Sequence, residues 1–123
     1  MDVKIEIPGV DSAKGLDLYE DDVDLYVTVL RSYAVHVPQS LDKLRHVSPE
    51  SLRDYASTVH GIKGTSNTIG AEDMRQAALN QELLAKAGDL QGVLAHNEDF
   101  LRQGDKLIAD IVLWLKQLDT KGE

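Results

Sequence analysis

The sequence predicts an all-α protein, an up-down-up-down four-helix bundle with a short extra helix at the N-terminus. Apolar residues recur at steps of three and four over four long stretches, which is typical of amphipathic helices. Short connections with clear start and stop signals separate these stretches, which favours antiparallel neighbours. The only strand-like alternation is Val3–Ile7, and Pro8 and Gly9 end it.

The first two helices are predicted from their caps and from one apolar face. The short helix runs from about Ser12 to Tyr19. The second begins at Asp21 or Asp22, either of which can accept from free backbone amides, and continues to about Leu44. Pro38 lies inside it and should kink the helix or split it in two. The face it buries comprises Val23, Tyr26, Val27, Leu30, Tyr33, Ala34, Val37, Leu41 and Leu44.

The remaining three helices are bounded by serine, proline and glycine. Ser48-Pro49 starts the third helix and Gly70 ends it. The fourth is predicted over Ala71–Ala87 with Gly88 as its stop, and the fifth over Asp89–Leu118. The buried stripe of the third is Leu52, Tyr55, Ala56, Val59, Ile62, Ser66 and Ile69. That of the fifth is Leu90, Val93, Leu94, Phe100, Leu101, Leu107, Ile108, Ile111, Val112 and Leu115.

Length and composition predict a single domain over 1–123, with a core at about 7–118 and flexible ends at 1–6 and 119–123. The formal net charge of −8 disfavours nucleic acid and anionic membrane surfaces, and it favours a soluble protein partner. No apolar run reaches the length of a membrane span, no signal peptide is evident, and there is no cysteine. We therefore expect a cytoplasmic monomer.

One helical segment carries residues that a helix does not need. The predicted third helix contains Gly61 and Gly64 close to His60, although each exposed glycine inside a helix costs roughly 1 kcal/mol relative to alanine. At 3.6 residues per turn, His60 lies in line with Ser57, Gly64 and Asn67 on a polar stripe that also holds Arg53. This stripe faces away from the predicted core. We therefore expect His60 to be exposed and one flank of its imidazole to be bare.

Lys63 lies one turn from His60, so its ammonium can reach an anion on the imidazole. An exposed neutral imidazole is a nucleophile at physiological pH. An accessible nucleophile, a compensating charge and clearance for a partner are the requirements of a phosphoryl carrier. A solitary surface histidine is usually only a surface residue. The other three histidines, His36, His46 and His96, are interpreted in that way.

The segment resembles the signature of the histidine-containing phosphotransfer (HPt) family, His-x-Leu-Lys-Gly-x-Ser/Ala followed by a glycine that closes the helix. Here it is His60-Gly61-Ile62-Lys63-Gly64-Thr65-Ser66, with Gly70-Ala71 as the close, and Ile62 is a conservative departure. The lead-in Ile7–Asp11, the pairs Leu25-Tyr26 and Leu30-Arg31, and the turn Gly88-Asp89 are also similar to the family. The resemblance covers roughly residues 7–116.

The resemblance implies roles for individual residues. His60 would accept the phosphoryl group, most readily on Nε2, and Lys63 would pair with its oxygens. Gly64 would give a partner clearance, with Ser57, Asn67 and Lys86 on the docking surface. Glu82, 22 positions after His60 on the next helix, would accept a hydrogen bond from Nδ1 and orient the ring. An alternative for Glu82 and Lys86 is a plain surface ion pair at i,i+4. Ser66 and Gly70 would be structural.

The function that the resemblance implies is a phosphorelay carrier in two-component signal transduction. His60 would receive the phosphoryl group from the aspartate of a receiver domain or from a hybrid sensor histidine kinase, and pass it to another receiver. The chain would be no enzyme on its own and would hold no cofactor and no metal. One alternative is an HPt-like adapter that docks receiver domains without carrying phosphate. Another is a metal-binding bundle, which is disfavoured because no Glu-x-x-His pair is present.

Overall fold

The computed structural model describes residues 4–121, and it is an all-α bundle. Helix α1 spans Ser12–Asp17, α2 Val23–Asp42, α3 Leu52–Ile69, α4 Glu72–Lys86 and α5 Leu90–Lys121. No strand occurs between residues 4 and 121. A single 3-10 turn at Pro49–Ser51 leads into α3.

Helices α2 to α5 form a closed cycle in which each helix packs on two others. Two ion pairs along the interface of α2 with α5 show that these neighbours are antiparallel. Arg31 near the start of α2 pairs with Asp119 near the end of α5, whereas Arg45 just after α2 pairs with Asp105 in the middle of α5. The predicted four-helix bundle with a short extra helix is therefore confirmed.

Helix α1 closes one end of the bundle, where α3 ends and α4 begins. Asp11 caps α1 and its own N–H donates to the carbonyl of Gly70 at 2.8 Å. Gly70 has φ +78°, and a Cβ there would overlap the carbonyl oxygen of Asp11. Glycine is therefore required at the end of α3 both by the left-handed backbone and by the close approach of the chain.

Several predicted helix limits shift in the structure. Helix α1 ends at Asp17 and not at Tyr19, because the next residues turn sharply, with Glu20 and Asp21 at positive φ. Of the two candidate caps for α2, Asp22 is the one whose side chain accepts from Leu25.

Of the two outcomes predicted at Pro38, a kink or a split, the split does not occur, since α2 continues through Pro38 to Asp42. Residues just outside the predicted core of about 7–118 also take part in the fold. Ile5 is buried in the core, and α5 extends to Lys121 with Asp119 paired to Arg31. Residues 1–3 and 122–123 of the predicted flexible ends lie outside the described residues.

The predicted core faces are largely the observed ones, but α5 differs at Trp114, which is buried without having been predicted so, and at Leu94 and Asn97. Leu94 was predicted to be buried but is 47% exposed, whereas Asn97 is buried at 7%. Asn97 bonds the hydroxyl of Tyr55 at 2.7 Å and the carbonyl of Leu44 at 2.8 Å. A polar residue therefore occupies a position on the core stripe because it satisfies groups of two neighbouring elements.

The longest helix, α5, carries charged residues at intervals from Glu98 to Lys121. Between residues 4 and 121, we find no helix that combines the length and the apolar character that crossing a bilayer requires.

Candidate functional site

His60 lies in the middle of α3, on the face directed away from the core. Its side chain is 63% exposed, whereas its neighbour Val59 and Ile62 two positions on are fully buried. Ser57, Gly64 and Asn67 of the same stripe are exposed as well. The amphipathic pattern of α3 therefore positions the imidazole at the surface while the adjacent turns are anchored in the core.

Glu82 of α4 is the residue that organises the site. Its carboxylate is only 1% exposed, yet it contacts three charged or ionisable side chains. One oxygen, Oε2, lies 2.6 Å from Nδ1 of His60 and 2.9 Å from Nζ of Lys86. The other, Oε1, accepts from Nζ of Lys63 at 2.6 Å. The alternative that Glu82 belongs only to a surface ion pair is wrong, because the carboxylate is buried beneath its three partners.

The charge state of Glu82 fixes the proton on His60. Burial opposes ionisation of this carboxyl, but hydrogen bonds from Lys63, Lys86 and His60 outweigh it and lower the pKa of Glu82 to about 2. An ionised carboxylate only accepts hydrogen bonds, so Nδ1 of His60 must donate. In the neutral imidazole the lone pair is then on Nε2, which has no hydrogen-bond partner among residues 4–121.

The surroundings of His60 leave space on its solvent side. A Cβ built at Gly61 or at Gly64 would meet no atom of another helix within 4 Å. These glycines therefore do not serve the close packing of α3 on another helix. The bare flank predicted from the sequence is present, and its role in docking stays a prediction.

Ser66 and Ile69 hold α3 in place below the histidine. Ser66 is fully buried and its hydroxyl pairs with the hydroxyl of Tyr33 at 2.9 Å. The carbonyl of Ile69 accepts from the hydroxyl of Tyr26 at 2.7 Å. Both contacts join α3 to α2, so they fix the rotation of α3 about its axis and with it the direction of His60.

A groove runs along one side of His60, between the first half of α3 and the end of α4. Its floor is apolar and its rims carry cationic side chains. The lining residues are Leu52, Arg53, Ala56, Ser57, His60, Glu82, Ala85, Lys86 and Gly88. The sequence placed Arg53 on the stripe of His60 without assigning it a role, and it gave no sign that Ala56 and Ala85 would form a floor. Only the packing of α3 on α4 brings these residues together.

One charge contact of the site, that of Lys63 with Glu82, was not anticipated from the sequence. Lys63 was expected beside the imidazole, but its ammonium is bonded to Glu82 and its side chain is 25% exposed. Lys86 and Lys63 approach the same carboxylate from α4 and α3. The i,i+4 spacing of Glu82 and Lys86 was the available signal, whereas the contact of Lys63 with Glu82 depends on the register between the helices.

Metal ligands are not brought together in the described chain. Between residues 4 and 121, no three side chains of histidine, aspartate or glutamate form a group that could hold a metal ion.

The fold and the site define a helical bundle with a solvent-exposed histidine held by a buried carboxylate. No protein-family model matches the chain, and no match was found among curated proteins or solved structures.

Proposed function

We propose that this protein is a phosphohistidine carrier of the HPt type, which accepts a phosphoryl group on His60 from a receiver-domain aspartate and passes it to a second receiver. One observation carries the proposal. Glu82 holds Nδ1 of an exposed imidazole at 2.6 Å, so the nitrogen that remains free faces solvent as a nucleophile. The signature around His60 favours this function over other uses of a surface histidine.

The transfer step follows from this geometry. The lone pair of Nε2 forms a bond to phosphorus while the bond from phosphorus to the aspartyl oxygen breaks, and its electrons leave with the carboxylate. Nδ1 keeps its proton, so the phosphorylated ring gains a positive charge. The buried carboxylate of Glu82 lies against that proton and compensates the charge. The receiver would supply Mg²⁺ and the remaining stabilisation of the transferring group.

The lysines around Glu82 provide charge for the incoming group. Lys63 and Lys86 face a single carboxylate, so the cluster carries one positive charge in excess. Phosphoryl oxygens on Nε2 would attract either ammonium, and a lysine is suited to this because it acts as a point charge on a flexible stem. Lys63 is one helical turn from His60 and is the nearer candidate along α3.

The test is to incubate the protein with a phosphorylated receiver domain and Mg²⁺, and to follow acid-labile, base-stable label. We expect label on the wild type and none on His60→Gln. His96→Gln is the matched control, since His96 is also exposed but lies on α5. Label on His60→Gln would contradict the proposal. Binding to receivers without label on any variant would favour the adapter that carries no phosphate.

A further inference from the structure

Arg53 differs from the other arginines of the chain. Arg31, Arg45, Arg75 and Arg102 each make a salt bridge with a carboxylate. Arg53 is exposed and makes no hydrogen bond or salt bridge with any residue from 4 to 121. In a chain with 21 acidic residues against 13 basic ones, an arginine without a carboxylate partner is unexpected. Its guanidinium keeps all its donors available.

The position of Arg53 relates it to the site. It lies seven residues before His60 on the same face of α3, and it lines the groove beside the imidazole. Lys86 lines the same groove from α4, and Ala56 and Ala85 form its apolar floor. The only carboxylate in the lining is that of Glu82, which is buried and already neutralised. The groove is therefore cationic at its rims on a protein whose net charge is −8.

We infer that Arg53 is a specificity-determining residue, and that the groove receives an acidic side chain of the docking receiver domain. This inference rests on the proposed function and names the chemistry of the partner. A guanidinium binds a carboxylate through two parallel hydrogen bonds, so it fixes the partner's orientation as well as attracting it. The apolar floor accommodates the aliphatic part of the same partner segment. Recognition of the partner is then separate from chemistry at His60.

The experiment compares two ways of phosphorylating His60. Phosphoramidate is a small donor that needs no docking surface, whereas a phosphorylated receiver domain must dock. Arg53→Glu should be labelled by phosphoramidate at the wild-type rate. Its rate of transfer from the cognate receiver should fall about tenfold or more at low salt, and the loss should shrink at high salt, where charges are screened. Arg53→Lys should transfer from the receiver at an intermediate rate, because lysine keeps the charge but cannot form the two parallel hydrogen bonds of a guanidinium.

The matched control is Lys116→Glu, which makes the same change of charge at an exposed lysine without a carboxylate partner among residues 4–121. Lys116 lies near the end of α5, at the opposite end of the bundle from the start of α3. Equal transfer rates for Arg53→Glu and Lys116→Glu would overturn the inference. Restoration of the Arg53→Glu rate by one acidic-to-lysine reversal on the receiver would identify the partner residue. Failure of phosphoramidate and receivers to label even the wild type would instead overturn the proposed function.

Discussion

At the scale of single residues, the site depends on one buried carboxylate. Glu82 is the only fully buried acidic side chain among residues 4–121. A buried charge is tolerated when it is paired and hydrogen-bonded, and Glu82 achieves this through His60, Lys63 and Lys86. The same contacts that stabilise the carboxylate therefore position the imidazole. Stability and orientation are coupled at this residue.

This coupling predicts a pH-dependent contribution to stability. Folding lowers the pKa of Glu82 from 4.5 to about 2. A lowered pKa means that the native state binds fewer protons than the unfolded state, so this contribution is full above about pH 4.5 and is lost as the pH falls through 2. Glu82→Gln should be less stable than wild type at pH 7, and the difference in free energy of unfolding should narrow towards pH 2. Urea unfolding of both proteins at several pH values measures this difference in free energy of unfolding.

Glu72→Gln is the control for a carboxylate whose contacts are exposed. Hydrogen bonds from Arg75 and Lys14 lower the pKa of Glu72 to about 2, but its side chain is 47% exposed. Salt screens exposed pairs far more than buried ones. At 1 M salt we expect the effect of Glu72→Gln to vanish and that of Glu82→Gln to persist. A Glu82→Gln difference that stays constant from pH 7 to pH 2 would be incompatible with the ionised, buried carboxylate.

At the scale of elements, α3 combines an anchored core face with an unobstructed outer face. The outer face contains two exposed glycines, Gly61 and Gly64, which lower the stability of the helix. Close packing does not explain their presence. Gly15 provides the contrast, because a Cβ there would come within 2.6 Å of the Tyr26 ring and 2.8 Å of the carbonyl oxygen of Ile69. Glycine is therefore structural in α1 and dispensable for folding at the middle of α3.

We therefore predict opposite effects for substitutions in the two helices. Gly64→Ala should stabilise the protein by about 1 kcal/mol, whereas Gly15→Ala should destabilise it. Gly64→Phe should remain folded but transfer phosphoryl groups from a receiver more slowly, because the side chain occupies the bare flank of His60. Thermal unfolding and transfer kinetics on the same samples separate the two effects. If Gly64→Phe accepted phosphoryl groups from the receiver at the wild-type rate, the docking partner would not need the space beside His60.

The element scale also shows what the sequence could and could not predict. The sequence predicted helix caps such as Asp22, helix stops such as Gly70, and the apolar faces of the helices. Local chemistry and the helical period determine these features. The exposure of His60 followed from the same period. The continuity of α2 through Pro38 could not be predicted from the sequence. It depends on tertiary packing, because Val37 and Leu41 are buried in the core on the two sides of the proline. The groove beside His60 could not be predicted either, because it depends on the register between α3 and α4.

At the scale of the whole molecule, a buried polar network joins α3, α4 and α5 to the segment that follows α2. The Tyr55 hydroxyl of α3 donates to Asn97 of α5 and accepts from Gln81 of α4 at 2.8 Å. Asn97 also donates to the carbonyl of Leu44, just after α2. Gln81 directly precedes Glu82, so the network holds α4 in the register that brings the carboxylate to His60. Every buried side-chain polar atom among the described residues has a partner.

Asn97→Ala should therefore destabilise the bundle without altering its chemistry. The substitution leaves the buried carbonyl of Leu44 and the hydroxyl of Tyr55 each without one partner, and each unsatisfied group costs about 1–3 kcal/mol. Urea unfolding measures the loss, and Asn80→Ala is the control, because Asn80 is exposed and its side chain bonds only Gln76, on the same helix, among the residues that the structure describes. Labelling of His60 by phosphoramidate should proceed as in the wild type under native conditions. Equal stabilities of Asn97→Ala and Asn80→Ala would mean that packing alone, and not the polar network, sets the register between α3 and α4.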